Sequence, residues 1–247
     1  MKKVALLTAI ALAIIIVGYA QASLVVVGYG TFNTGGVTYT EKLIYDSDLD
    51  ITWLDYTKGY DFWEPQLTWA TALEVSMNGQ VFDEWRLPQV LPLNGSTYNY
   101  DVRFDGSTDS GYNISATDTA YAGSTASEMA HLYYTTLGNK SFHYFDGTSP
   151  QPGYGLQNTG PFDNLGESVY WSNTRYGLIP TDGSGLPNVW RFSFGQGHQG
   201  YGHTDQVAIA VHPGNITLTP VPEPASMLLM ASGLVAFGAL RRTFRKS

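Results

Sequence analysis

The sequence predicts one α+β domain of short antiparallel strands with two helices, preceded and followed by a targeting segment. The chain has 247 residues, with an apolar run near each terminus. Between these runs, short β-branched stretches bounded by glycine and asparagine recur, which is typical of short strands. Two segments carry the helical period. The body at 23–220 has 198 residues, enough for a self-sufficient core.

The first 22 residues have the pattern of a cleaved secretory signal. A start with two lysines precedes an apolar run at 4–17. The small-x-small pattern that signal peptidase accepts follows at Ala20 and Ala22. We therefore expect signal peptidase to cut between Ala22 and Ser23. An uncleaved anchor is the alternative, and the apolar run is short for one.

The C-terminal segment, 221–247, has the order of a stop-transfer sequence. An apolar stretch at about 225–240 predicts a short transmembrane helix, and a basic tail at 241–246 keeps that end in the cytoplasm by the positive-inside rule. The motif before the helix is Val221, Pro222, Glu223 and Pro224. The membrane-flanking cations are Arg241, Arg242, Arg245 and Lys246.

This order of Pro-Glu-Pro, short helix and arginine cluster resembles the PEP-CTERM sorting signal of Gram-negative bacteria. The resemblance implies that the inner membrane holds the precursor until an exosortase cuts near the Pro-Glu-Pro. It also implies a processed protein at the cell surface or in the extracellular matrix, in organisms that make exopolysaccharide. A plain C-terminal membrane anchor is the alternative.

Composition excludes several classes of function. The chain has no cysteine, which rules out a disulfide scaffold, thiolate metal sites and cysteine nucleophiles. Its 21 acidic and 13 basic residues give a net charge of −8. Six basic residues and one acidic residue lie in the two ends, so the body at 23–220 carries −13. Because such a surface repels phosphate backbones, we expect no nucleic acid partner.

The first half of the body is expected to hold three strands and a helix. The strands are predicted at 24–27, 37–45 and 51–54. The first helix is predicted over 65–78 and ends at Gly79, because an apolar stripe recurs at Trp69, Ala72, Leu73 and Met77.

The second half is expected to begin with a long irregular insertion at 91–123, which is rich in polar residues and glycine. A capping box at 125–128 predicts a second helix over 126–137, ended by Gly138. After a loop at 147–166, the closing strands are predicted at 168–172, 189–194 and 206–212.

Several motifs of the body are similar, in their order, to those of the Lcl C-terminal domain family. They are residues 45–54, the Trp69 helix, Trp85-Arg86-Leu87-Pro88, and residues 160–162, 170–172 and 208–214. The resemblance implies a C-type-lectin-like fold and polysaccharide binding, since the named member is an adhesin for sulfated polysaccharide. Two features depart from the family: the insertion at 91–123 is long, and a charge of −13 disfavours sulfated ligands. The Arg-Leu-Pro motif also resembles formylglycine-generating enzymes, whose chemistry needs the cysteine that this chain lacks.

Three carboxylates at alternate positions, Asp46, Asp48 and Asp50, predict either a calcium site or an Asp-rich turn. An EF-hand is excluded, because Ile51 and Thr57 stand where its glycine and bidentate acid belong. A second and weaker calcium candidate lies in the insertion and comprises Asp101, Asp105 and Asp109.

The glycine-rich stretch 195–200 matches GxGxxG, but no helix pattern follows it, so we expect a hairpin loop rather than a nucleotide site. A zinc site at His198, His203 and Asp205 is an alternative to ordinary surface histidines. No GxSxG is present for a nucleophile-elbow hydrolase.

Aromatic residues are the remaining feature that bears on function. The tryptophans on predicted elements are expected in the core: Trp53, Trp69, Trp85, Trp171 and Trp190. Tyrosines in polar loops are candidate glycan contacts: Tyr98, Tyr100, Tyr112, Tyr154, Tyr176 and Tyr201. We expect a non-catalytic protein that binds or structures extracellular polysaccharide. A secreted polysaccharide hydrolase and a self-associating structural protein are the alternatives.

Overall fold

The computed structural model describes residues 24–177 and 185–217. These residues form two sheets and two short helices. The first sheet contains β1 Leu24–Thr34, β2 Val37–Asp46, β3 Ile51–Leu54, β5 Val75–Met77, β6 Gln80–Phe82 and β13 Val211–Pro213. The second contains β4 Lys58–Asp61, β7 Val102–Arg103, β8 Ser110–Tyr112, β9 Val169–Arg175, β10 Val189–Ser193, β11 His198–Gly202 and β12 Gln206–Ala208. The helices are α1 Trp63–Thr71 and α2 Glu128–His131.

The first sheet has the order β13-β3-β2-β1-β5-β6, and every neighbouring pair is antiparallel. Its longest unit is the β1–β2 hairpin, which turns at Gly35 and Gly36. Both glycines have positive φ, 60° and 78°. A two-residue hairpin turn of this kind needs positive φ at both central positions, which glycine adopts at no steric cost.

The second sheet has the order β4-β12-β9-β10-β11-β8-β7. Its pairs are antiparallel except for β12–β9 and β7–β8, which are parallel. The expectation of short, mainly antiparallel strands is confirmed. The α+β class is right only in part, because the described residues are mostly β and their two α-helices have nine and four residues.

The first predicted helix is shorter than expected and begins earlier. It was predicted over 65–78, whereas α1 spans Trp63–Thr71 and the chain then forms β5 and β6. Asn78 and Gly79, with φ of 51° and 82°, form the β5–β6 turn, so Gly79 is not a helix cap. Asn-Gly is a strong hairpin signal that outweighs the apolar stripe through Met77.

The polar residue Gln66 lies on the buried side of α1, which the apolar stripe does not predict. Its amide nitrogen donates to the carbonyls of Gly59 at 2.6 Å and Gln206 at 3.0 Å. Ala72, which was predicted in the stripe, is exposed instead. Gln66 thus links α1 to the residues of β4 and β12, at one end of the second sheet.

The second predicted helix, 126–137, is formed in its middle. Helix α2 is followed directly by a π-helical turn, Leu132–Thr136, in which the Leu137 amide donates to the Leu132 carbonyl at 2.9 Å. The cap is Ser127, whose Oγ accepts from the Ala130 amide at 3.3 Å, and not the predicted Thr125.

Four of the five predicted core tryptophans are buried: Trp53, Trp85, Trp171 and Trp190. Trp69 is only partly buried and packs against the hydrophobic core residues that surround Trp171. The Trp-Arg-Leu-Pro motif has a structural role. Both guanidinium nitrogens of Arg86 donate to the Glu128 carboxylate, at 2.8 and 2.7 Å, which ties this segment to α2.

Among the residues that the structure describes, no helix is both long enough and apolar enough to span a membrane. The predicted signal at 1–22 and the predicted transmembrane helix at 225–240 lie outside those residues.

Candidate functional site

The carboxylates at 46–50 adopt the turn that was the alternative to a calcium site. Asp46 is buried, and its Oδ1 accepts from the backbone amides of Asp48 at 3.1 Å and Leu49 at 3.4 Å. The Tyr45 hydroxyl donates to Asp50 at 2.9 Å, so Asp50 has a partner of its own. The three side chains therefore have separate contacts.

Asp48 has a neighbour that the sequence did not reveal. Its Oδ2 lies 3.4 Å from Nε2 of the buried His131, whose Nδ1 lies 3.1 Å from the Ser124 carbonyl. Asp48 also lines a cleft of about 470 Å³ between this turn and the insertion. Across 24–177 and 185–217, no group of three histidines or acids is arranged to hold a metal ion. Calcium binding at Asp46, Asp48 and Asp50 stays a prediction.

The acids of the insertion do not converge either. Asp101 lies 3.7 Å from Arg103, and Asp105 accepts from the Ser107 hydroxyl at 2.6 Å. Asp109 is buried, and its two carboxylate oxygens accept from the backbone amides of Leu93 and Asn99, both at 2.7 Å. Asp109 therefore anchors the insertion.

Four of the six candidate tyrosines meet around one tryptophan. Ring centroids of Tyr98, Tyr100 and Tyr176 lie 5.5, 6.0 and 4.6 Å from that of Trp190. Tyr201 in turn stacks on Tyr176 at 4.0 Å and 27°. We call these five residues the Trp190 cluster.

The members of the Trp190 cluster differ in access to solvent. Tyr201 is 46% exposed, whereas Tyr176 is 3% exposed and Trp190 is fully buried. Burial raises the pKa of Tyr176 to about 12, so its hydroxyl stays neutral. Tyr176 follows β9 directly and packs between Trp190 and Tyr201, so within this cluster it supports the exposed ring. Its contact with glycan stays a prediction. Tyr98 and Tyr100 are partly buried.

The insertion at 91–123 explains how Tyr98 and Tyr100 reach Trp190. The Tyr98 hydroxyl donates to the Val90 carbonyl at 2.8 Å, and the Gln199 amide of β11 donates to the Asp109 carbonyl at 2.8 Å. The insertion also contributes β7 and β8 to the second sheet. It is therefore part of the sheet edge and less irregular than predicted.

The other two candidate tyrosines belong to a separate aromatic group. Tyr112 lies 4.5 Å from the His143 ring and 4.7 Å from the His198 ring. Tyr154 is 39% exposed and packs edge-on against Phe142 at 4.8 Å. Two further exposed rings nearby in sequence, Tyr144 and Phe145, were not singled out from the sequence. Their exposure depends on how the loop folds, which composition does not show.

The GxGxxG stretch forms the turn of the β10–β11 hairpin and the start of β11, which confirms the predicted hairpin loop. Burial, Arg191 and His143 together lower the pKa of His198 to about 4. His203 contacts the Asn188 side chain at 3.3 Å. His198, His203 and Asp205 do not form a metal-binding group in the described part of the chain.

Residues 220–242 match the PEP-CTERM protein-sorting motif. No curated protein and no solved structure matches the chain. The motif marks an exported protein that an exosortase processes, with a cell-surface or extracellular destination in Gram-negative bacteria. This agrees with the targeting that the sequence predicts.

Proposed function

We propose that the processed protein is a non-catalytic component of the cell surface or extracellular matrix that binds or structures exopolysaccharide. The observation that supports this most directly is the exposed ring of Tyr201 in the Trp190 cluster. The sorting motif directs the protein to the cell surface or the extracellular space, where polysaccharides are present.

A sugar presents apolar C–H groups on one face and hydroxyls around its edge, so a flat aromatic ring with a polar tip suits it. Tyrosine supplies such a ring with few rotatable bonds, which keeps the entropy lost on binding small. The Tyr201 ring rests on Tyr176, which is itself wedged against the buried Trp190. The cluster therefore holds the exposed ring ready for contact before any ligand arrives.

A C-type-lectin-like fold remains part of this proposal. It is supported by the order of the family motifs and by the short, mainly antiparallel strands of both sheets. The Arg86–Glu128 pair and the burial of Leu87 give the Trp-Arg-Leu-Pro motif a role in holding such a domain together.

The test is binding of the full chain, in a detergent without sugar groups, to a panel of neutral and acidic polysaccharides with calcium and then with chelator. The Tyr201→Ala variant is expected to bind the preferred polymer roughly 2- to 13-fold more weakly, since aromatic contacts are worth about 0.5–1.5 kcal/mol. Tyr60→Ala is the matched control, because Tyr60 is 64% exposed at the opposite end of the same sheet.

Each result bears on one of the alternatives. Equal binding by Tyr201→Ala and wild type would remove the Trp190 cluster from the proposal. Release of reducing ends from the bound polymer would favour the hydrolase. Concentration-dependent assembly without any polymer binding would favour the self-associating structural protein.

A further inference from the structure

The face of the β10–β11 hairpin opposite the Trp190 cluster carries a different set of side chains. Residues paired directly in antiparallel strands share a face, and neighbours along a strand alternate. Trp190 pairs with Tyr201, whereas Arg191 pairs with Gly200. Arg191 therefore lies on the other face, together with the glycines and His198 of β11.

Glycines leave room on this face for two side chains to lie across β11. A Cβ atom added at Gly202 would stand 2.7 Å from the Arg191 Cζ, and one added at Gly200 would stand 2.7 Å from the His198 Cε1. Any larger residue at either position would displace the side chain above it. The Arg191 guanidinium therefore lies over Gly202, and the His198 imidazole lies over Gly200.

Arg191 differs from the other arginines of the described residues. Arg86 binds Glu128, Arg103 lies 3.7 Å from Asp101, and the Arg175 guanidinium sits 5.2 Å from the Trp63 ring centroid. No carboxylate in 24–177 or 185–217 lies within ion-pair distance of Arg191. This holds although the body has 20 acidic residues.

An unpaired guanidinium that is partly buried is costly, because removing a cation from water is repaid only by a well-placed anion. Burial lowers the pKa of Arg191, which is the mark of this cost. At neutral pH the adjacent His198 is uncharged, because its pKa is about 4. It therefore offers a donor and an acceptor but no second positive charge.

A ring lies at the end of this row of side chains. Tyr112 of β8 pairs with His198, so both project from the same face. The Tyr112 ring stacks on Phe104 at 5.7 Å and 18°. The face thus places a planar cation, a neutral imidazole and a supported aromatic ring side by side.

We propose that Arg191, His198 and Tyr112 form a second binding site that takes the carboxylate of an acidic sugar, such as a uronic acid residue. The guanidinium fork matches a planar carboxylate with two parallel hydrogen bonds. The imidazole is placed to bond a sugar hydroxyl, and the Tyr112 ring to contact the apolar sugar face. One monovalent carboxylate fits a single cation in a body of charge −13 better than a phosphate or a polysulfated polymer.

The test uses the full chain in the same detergent and two matched probes, a trigalacturonate and its fully methyl-esterified form. Wild type is expected to bind the acid at least tenfold more tightly than the ester. Arg191→Gln is expected to lose that preference. Arg103→Gln, which removes an exposed arginine, should keep it.

A second readout separates ligand contact from a purely structural effect of Arg191. Because the charge of Arg191 contributes to the low pKa of His198, a carboxylate bound to the guanidinium should raise the pKa of His198. This is measured by NMR titration of the imidazole with and without trigalacturonate. Arg191→Gln should raise the pKa of His198 in the absence of ligand, and trigalacturonate should then cause no further change in that pKa.

Equal affinity of wild type for acid and ester, or an unchanged pKa of His198 at saturation, would overturn the proposal. Inorganic phosphate competing as well as the trimer would also overturn it, because the site would then take small anions and not sugars. The result is independent of the Trp190 cluster. Tyr201→Ala should keep the preference for the acid, even if binding of long polymers through that cluster fails.

Discussion

At the scale of single residues, Asp46 is an acid held away from water. Its Oδ1 accepts from two backbone amides of the turn, whereas its buried Oδ2 makes no hydrogen bond of good geometry within the described residues, and the nearby Trp53 side chain stabilises the charge only weakly. Burial raises the pKa of Asp46 above its ordinary value, and the nearby His131 opposes this only in part. In the folded state the carboxylate form is therefore penalised at neutral pH.

The sign of this effect gives a prediction for Asp46→Asn. Because the pKa is raised on folding, the folded state binds more protons than the unfolded state just above pH 3.8, and stability falls as pH rises through that window. The amide keeps the Oδ1 acceptor and removes the charge. With a calcium chelator present at pH 7, the melting temperature of Asp46→Asn should be about 2–4 °C higher than that of wild type for each kcal/mol by which the substitution reduces the cost of burying the charge.

Circular dichroism melts at pH 7 and at pH 3 check this prediction, since the difference should shrink once Asp46 is protonated in wild type. A variant that melts lower at pH 7 would contradict it. Calcium added to both proteins tests the other interpretation of Asp46, Asp48 and Asp50. A calcium site requires that the ion raise the melting temperature of wild type and not of Asp46→Asn.

At the scale of elements, the start of α2 is joined to β11 through one buried serine. Ser127 Oγ accepts from the Ala130 amide at 3.3 Å and donates to the Gln199 side chain at 2.5 Å. The side-chain nitrogen of Gln199 then donates to the backbone carbonyl of Asp109, in the insertion, at 2.8 Å. One hydroxyl thus links the helix, the second sheet and the insertion that places Tyr98 and Tyr100.

Ser127→Ala is expected to lower the free energy of unfolding by roughly 2–4 kcal/mol. Loss of a cap costs about 1 kcal/mol, and a buried amide left without its partner costs about 1–3 kcal/mol. Urea denaturation measures the difference. Thr125→Ala is the matched control, because Thr125 is exposed and should change stability by less than about 0.5 kcal/mol. A larger loss for Thr125→Ala than for Ser127→Ala would restore the predicted capping box.

Strands, helices and turns could be predicted from the sequence where neighbouring residues determine them, and less well where contacts between distant residues determine them. Gly35 and Gly36 mark the start of β2, which follows from the sequence, but the strand before them was predicted only over 24–27, whereas β1 continues to Thr34 and pairs with β2 along its length. Asn78 and Gly79 also mark a turn, but the apolar stripe that ends at Met77 has the period of a helix and wrongly predicts a helix there. The contact of Tyr98 and Tyr100 with Trp190 joins residues about 90 positions apart, which no local pattern reveals.

At the scale of the whole molecule, the chain combines an acidic body with two basic ends. The body of charge −13 favours solubility outside the cell, and many of the cations lie in the predicted signal segment and around the sorting motif. The targeting was predictable from sequence because it depends on composition and order rather than on packing. The two proposed binding surfaces were not predictable, since the two faces of the β10–β11 hairpin become distinct only once the strands pair.

The sorting motif at 220–242 makes a prediction that depends on no detail of the fold. Replacing Pro222, Glu223 and Pro224 by alanine should leave the uncut precursor in the inner membrane, because the apolar stretch and the basic tail still stop transfer while the exosortase loses its recognition sequence. Cell fractionation, with mass spectrometry of the C-terminus, measures the outcome. The matched control replaces residues 217–219 by alanine and should be processed normally. Processing of the Pro-Glu-Pro variant at the wild-type rate would mean that cleavage does not depend on this motif. An uncut C-terminus in wild type would mean that the segment is a plain anchor, and the proposed functions would then act at the inner membrane.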